Sequence, residues 1–282
     1  MDMLNEIVHH GNHSRIVKLF DGVYFREGDL EIRGQCNCGV IELANSLAVI
    51  DYPEQWPDEE IFGEAEALLH KPVKYLIVTH AHVDHCVGLK TLRRNGIRVI
   101  ASAACIEEMR AEGYPVPEVR LAVEKSMEIE LEGCVFELIL PGRVVHSAGD
   151  MLVGLPQHKT VFPGDLMVVE KNLFFHSSDI AAWRATVAKV SNMGWEVLCR
   201  GHGPLAGAEY FGQLARYLEL LHQAKLHQAK YDEIIDKRVV HSCFQMLSPA
   251  LSAIADRLLK QADAVNIGRQ LNQLMERTRE GY

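Results

Sequence analysis

Val78-Thr79-His80-Ala81-His82-Val83-Asp84-His85-Cys86-Val87-Gly88 is the stretch on which the reading of this chain turns. Three histidines and one aspartate crowd into positions 80 to 85 of a chain with 14 histidines in 282 residues. Immediately upstream, Val73–Thr79 is a short apolar run rich in β-formers and bounded by Pro72. It predicts a buried strand. The histidines then fall in a loop at a strand end, where α/β proteins place their sites. In an extended segment residues i and i+2 point the same way. His80 and His82 can therefore share one metal ion, while Asp84 and His85, past the turn, can serve a second. Imidazole and carboxylate donors suit zinc, and also manganese or iron.

Strand and helix signals alternate on both sides of this loop. Ile16–Phe25 reads as two strands joined at Asp21-Gly22, and Val40–Leu43 with Leu47–Ile50 as a hairpin. Glu59–His70 has helical apolar spacing, His85–Asn95 reads as a helix closed by Gly96, and Ala103–Glu112 as a helix ending at Gly113. Ile97–Ala101, Ser126–Leu140, Met151–Leu155, Thr160–Phe162 and Val197–Cys199 read as strands, and Ile180–Met193 as a helix. From about residue 208 the strand signals vanish. Tyr210, Leu214, Tyr217, Leu218 and Leu221 recur at helical spacing, and Ser248-Pro249 has the form of a helix start. This divides the chain into an α/β domain over 1–207, expected to carry the site, and a helical appendage over 208–282, packed on it.

Two ligand sets need more donors than one loop supplies. Three further candidates sit at strand ends beside glycines that allow close approach. They are His146 in His146-Ser147-Ala148-Gly149-Asp150, Asp165 in Phe162-Pro163-Gly164-Asp165, and His202 in Gly201-His202-Gly203-Pro204.

In this ordered set the chain resembles the metallo-β-lactamase superfamily, from about residue 16 to residue 207. Asp51 matches the family's first motif; His80, His82, Asp84 and His85 match the second; His146, Asp165 and His202 match the third, fourth and fifth. The resemblance implies an αββα sandwich of two β-sheets flanked by helices. It implies that His80, His82 and His146 hold one metal, that Asp84, His85 and His202 hold the other, and that Asp165 bridges both. Asp51 is expected to orient the second-motif loop by hydrogen bonds, the outer support that metal sites need. Departures narrow the branch. Glyoxalase II and similar thioesterases carry Pro-Gly-His-Thr at the third motif, whereas here Arg143-Val144-Val145 separate Pro141-Gly142 from His146. A bridging Asp165 argues against the antibiotic-hydrolysing β-lactamases. Two complete ligand sets argue against the one-iron persulfide dioxygenases, and no long insertion is present for the RNA-cleaving branch.

The expected activity is that of a dinuclear metallohydrolase. Two divalent ions, zinc first and manganese or iron as alternatives, lower the pKa of a shared water, and the resulting hydroxide cleaves an ester, lactone or thioester of a small molecule. Asp84 is the candidate general base. Alternatives are a phosphodiesterase acting on a small nucleotide-like substrate, a di-iron redox enzyme, and a non-catalytic binding protein.

Composition limits the partners. With 29 basic and 38 acidic residues the net charge is −9, which argues against a nucleic-acid surface. No run of about 18 apolar residues suggests a membrane span. Met1-Asp2-Met3-Leu4-Asn5-Glu6 lacks the basic and apolar regions of a secretory signal. Seven scattered cysteines fit free thiols, so a cytoplasmic protein is expected, with a homodimer through the C-terminal helices as one option for the appendage.

Other conspicuous residues have simpler readings. Cys86 is expected to pack rather than ligate, and Cys36 and Cys38 to pack rather than exchange electrons. Asp150 is expected to be structural, Tyr52, Trp56 and Trp183 to pack in the core or at a rim, and His158, His176, His222, His227 and His241 to lie at the surface. His9, His10 and His13 are expected to be solvated near a mobile terminus.

Overall fold

The computed structural model describes residues 3–29, 35–55, 60–167 and 180–228. Its frame is two mixed sheets. The first runs β1 (Glu6–His10), β2 (Ser14–Phe20), β3 (Val23–Gly28), β4 (Cys38–Glu42), β5 (Leu47–Ile50), β6 (Val73–Val78), β7 (Arg98–Ser102) and β8 (Glu118–Val123), side by side in chain order. Its first five strands are antiparallel and the last four parallel, with β5 common to both sets. The second sheet has the order β14 (Ala206–Gly207), β13 (Val197–Leu198), β12 (Thr160–Phe162), β11 (Leu152–Leu155), β10 (Cys134–Ile139) and β9 (Met127–Leu131). Only β12 and β13 are parallel there.

The central strands read as unbroken apolar runs because both of their faces are covered. Val49, Leu76 and Val99 point to the helix-covered face, whereas Ile50, Ile77 and Ile100 point to the second sheet and meet Phe136, Leu138, Val153 and Phe162. Burying each such side chain contributes roughly 1.5–3 kcal/mol, so one sequence period fills two layers of core. Helices α1 (Ile61–Leu69), α2 (Val83–Cys86) and α3 (Ala103–Ala111) lie on the first sheet. Helices α4 (Ile180–Ser191) and α5 (Glu209–Gln228) cover the second, through Trp183, Val187, Val190, Tyr210, Phe211, Leu214 and Leu218. The result is the expected αββα sandwich. The described start of the appendage packs into the core, while Ser248-Pro249, His241, Trp56 and His176 lie outside the described residues. No helix among the described residues is long and apolar enough to cross a membrane.

Two expectations need correction. The helix expected over His85–Asn95 is α2 followed by a single 3₁₀ turn, Val87–Lys90. Cys86 leaves helical geometry at φ −142° and ψ −2°. Gly88 then presses on the loop after β5: its amide donates to Tyr52 O at 3.1 Å, and a Cβ there would lie 2.4 Å from Pro53 O. Contact with that loop replaces the helical ladder. The amino-terminal histidines, expected near a mobile end, belong to the edge strand β1 and the turn that follows it. Here β1 pairs with β2, and His9 Nε2 lies 3.7 Å from Glu64 Oε1.

Candidate metal centre

Parallel strands end together, and that brings the donors to one place. Asp51 follows β5, and His80 and His82 follow β6. Asp165 follows β12 and His202 follows β13. His146 sits between β10 and β11, in a loop tied to the first sheet by Met151 N donating to Thr79 O at 2.8 Å. All seven residues that the sequence nominates as metal ligands converge here.

They form two groups. His80, His82 and His146 present ring nitrogens within 4.8 Å of one another, and Asp84, His85, Asp165 and His202 do the same with one donor atom each. In the first group His146 Nε2 is 2.8 Å from His82 Nδ1. In the second, His202 Nε2 is 2.9 Å from Asp84 Oδ2. Asp165 stands between the groups. Its Oδ1 is 3.2 Å from His85 Nε2, and its Oδ2 is 3.5 Å from both His146 Nε2 and His202 Nε2.

Buried polar residues fix the loops. Asp51 adopts φ +63°, a left-handed conformation that aspartate tolerates. Its carboxylate accepts from Thr79 N at 2.8 Å and Thr79 Oγ1 at 2.9 Å, and pairs with His85 Nδ1 at 2.9 Å. That engages one side of the His85 ring and turns Nε2 to the centre. Asp150 does the same for the His146 loop, accepting from His146 N at 2.7 Å and from Ser147 N and Oγ. Burial raises the Asp150 carboxyl to about 6. Ser102 caps α3 by accepting from Cys105 N and donates to Gly149 O at 2.7 Å, joining that helix to the same loop. Burial pushes the Cys86 thiol up to about 12, so it stays protonated and donates to the carbonyls of Ala81 and His82, 3.3 Å away. Cys36 lies close to Asp51 and His85, but burial holds its thiol well above the usual range. Tyr52 and Trp183 are core residues, donating to Glu60 Oε1 at 2.6 Å and Leu166 O at 2.7 Å.

Sequence reasoning missed Asn37 and Arg200, which hold the His202 loop. Arg200 is buried. Its Nε and Nη2 donate to Pro204 O at 3.1 and 3.0 Å, and Nη1 donates to the Tyr210 hydroxyl on α5 at 2.5 Å. The available signal was a charged residue closing an apolar strand beside Gly201-His202.

Electrostatics differ between the groups. Burial, reinforced by neighbouring histidines, lowers His80 well below the usual imidazole range, and burial lowers His82 and takes His146 to about 4. These rings are neutral near pH 7. Burial also disfavours charge on His85 and His202, but Asp165 and the other nearby carboxylates outweigh it and raise both. Burial acts upward on Asp84 and Asp165. The charges of His85 and His202 prevail and hold both carboxyls below their ordinary value, Asp165 well below.

The donors suit a metal. His80 Nε2 is buried with no hydrogen-bond partner, and His85 Nε2 and Asp165 Oδ1 face each other without forming a hydrogen bond of good geometry. Unpaired buried polar atoms are costly. A cation accepting their lone pairs removes that cost, and a nitrogen and oxygen donor set fits zinc, manganese or iron.

Residues 32–202 match the family model of the metallo-beta-lactamase superfamily. The chain is 28% identical to metallo-beta-lactamase type 2 of Bacillus cereus over 131 residues, 45% of this chain and 49% of that protein. It is 29% identical to a hydroxyacylglutathione hydrolase of Cereibacter sphaeroides over 178 residues, 62% of each chain. It superposes on the metallo-beta-lactamase FIM-1 of Pseudomonas aeruginosa, in its mono-zinc form, with a TM-score of 0.63 at 24% identity, covering 73% of this chain and 95% of that one. The chain spans about half the length of the Bacillus relatives that it matches.

Proposed function

Because the chain belongs to the metallo-β-lactamase superfamily, we propose that it is a hydrolase working with two metal ions, zinc in the first instance, on an ester, lactone or thioester of a small molecule. The observation that carries this reading is the place of Asp165. One carboxylate lies between a group of three histidines and a group of two histidines and an aspartate. His80, His82 and His146 would hold one ion, Asp84, His85 and His202 the other, and Asp165 would touch both. When bound, such a pair supplies a Lewis acid for a carbonyl oxygen and lowers the pKa of water toward about 7.

The chain's own residues do the rest. Asp84, whose Oδ2 lies 2.9 Å from His202 Nε2, is the carboxylate we assign to accept the proton that an attacking water gives up. Asp51 and Asp150 hold the ligands in place before substrate arrives, so little reorganisation is left for the reaction. Val83 and Val144 are exposed, next to Asp84 and two residues before His146. They offer an apolar surface to the body of a substrate. The relative named as a hydroxyacylglutathione hydrolase supports acyl over phosphoryl chemistry.

The test pairs metal analysis with turnover. Protein reconstituted with zinc should carry close to two ions per chain and hydrolyse p-nitrophenyl esters or acyl thioesters faster than bis-p-nitrophenyl phosphate. Faster cleavage of the phosphodiester would overturn the acyl assignment. Iron as the ion retained through purification, with no hydrolysis, would overturn the hydrolase.

A further inference from the structure

Asn37 immediately precedes β4 in the first sheet, and its contacts run to the second. It is 4% exposed. Its backbone N donates to Gly201 O at 2.8 Å, and its Nδ2 donates to Arg200 O at 3.0 Å and Gly203 O at 2.8 Å. On its other side Oδ1 accepts from Gly28 N at 3.1 Å. These partners fix which way the amide points, because two carbonyls require the NH₂ and an amide N–H requires the oxygen. One residue therefore holds three of the four carbonyls between Arg200 and Gly203. The remaining residue of that turn is His202, whose Nε2 lies 2.9 Å from Asp84 Oδ2. Arg200 grips the same turn from behind, through Pro204 O and the Tyr210 hydroxyl.

We propose that Asn37 is the positioning residue of the second metal site: it anchors the Arg200–Gly203 turn across the two sheets and so sets the aim of His202. The proposal rests on the two-metal reading above. It assigns Asn37 no contact with metal or substrate. It also separates the two sites: the hydrogen bonds of Asn37 run to Gly28 and the Arg200–Gly203 turn, whereas the loops bearing His80, His82 and His146 are held by Asp51, Cys86 and Asp150.

Asn37→Asp is the sharpest test. It keeps the shape, removes both N–H donors, and sets a carboxylate oxygen against two carbonyl oxygens. The full chain is stripped of metal and titrated with zinc against a chromophoric chelator, and the cobalt-loaded protein is followed by its absorption. Loss of outer support for a ligand typically costs 10- to 100-fold in metal affinity. The binding step that His202→Ala removes should suffer that loss while the other stays within about twofold. Asn37→Ser removes the amide without adding charge and should lose about 10-fold, which keeps the test open if the aspartate variant fails to fold. His202→Ala and the double variant supply the decisive comparison. If Asn37 acts through His202, adding Asn37→Asp to His202→Ala changes neither step further. Equal weakening of both steps, wild-type affinity at both, or additive losses in the double variant would each overturn the proposal. Wild-type protein that saturates at one ion per chain would overturn the two-metal reading itself, a failure distinct from the other three.

Discussion

The two halves of the centre adjoin at Asp165 and share a residue type, yet they solve the problem of burying histidine in opposite ways. For His80, His82 and His146 burial outweighs the pull of Asp165 and drives the rings neutral. His85 and His202 face Asp51, Asp84 and Asp165, so the same burial is overruled and they hold their protons. One half is a set of lone pairs ready for a cation. The other is a charge-compensated network in which metal-free protein keeps protons where a cation would otherwise balance the carboxylates. The supports differ to match. The all-histidine half is held by loops of its own neighbourhood, through Asp150 and Ser147, whereas the mixed half combines Asp51 on the His85 ring with a reach across both sheets by Asn37 to the His202 turn.

The largest effect should come from the residue that belongs to both halves. Asp165→Ala should abolish hydrolysis and leave less than one ion per chain on elemental analysis, a loss beyond the roughly 100-fold typical of an outer partner. Retention of two ions would mean that the halves do not share Asp165. A smaller, one-sided effect is expected at Gly201. A Cβ there would lie 2.5 Å from Asp165 Oδ1 and 2.7 Å from His85 Cε1, closer than real side chains allow. Gly201→Ala should weaken the second binding step by about 10-fold and spare the all-histidine half. If calorimetric titration with zinc shows both steps unchanged, the mixed half yields more easily than this packing implies.

How much of this could be read from the chain depends on where the partners lie. The loop from His80 to His85 announced itself because metal ligands cluster locally, and the strands around it because both of their faces are buried and most of their residues are apolar. The strands β1 and β8 were not read. β1 is an edge strand of charged, apolar and histidine residues without alternation, whereas β8, at the sheet's other edge, does alternate, with Val119, Leu121 and Val123 set more deeply than Glu118, Arg120 and Ala122. The helix expected beyond His85 failed for a tertiary reason, the contact of Gly88 with Pro53. Asn37 left no local signal at all, because its side chain answers carbonyls 163 and 166 positions away. Spacing reveals ligands but not the residues that aim them.

The smallest expected effect is the pH dependence of metal-free stability, and it separates the halves by sign. In the unfolded chain all five histidines titrate near 6.5. For the all-histidine half the folded values are lower, so below pH 6.5 the unfolded chain binds more protons, and stability is lost as pH falls toward the folded values, about 4 for His146. For His85 and His202 the folded values are higher. Their contribution is fully present below 6.5 and is lost as pH rises through those values. Asp150, raised to about 6, binds a proton in the folded state first and partly offsets the acid limb. Asp84 and Asp165 are held below 3.8, so their contribution is lost only at lower pH. Urea unfolding of metal-free protein at pH 5, 7 and 9 should therefore give greatest stability near neutrality, with His146 adding on the order of 1 kcal/mol to the acid limb. His146→Gln should flatten that limb and leave the alkaline one, while His202→Gln should do the reverse. If either variant changes both limbs equally, the halves titrate as one unit, and the division of charge between them is not what the neighbouring carboxylates impose.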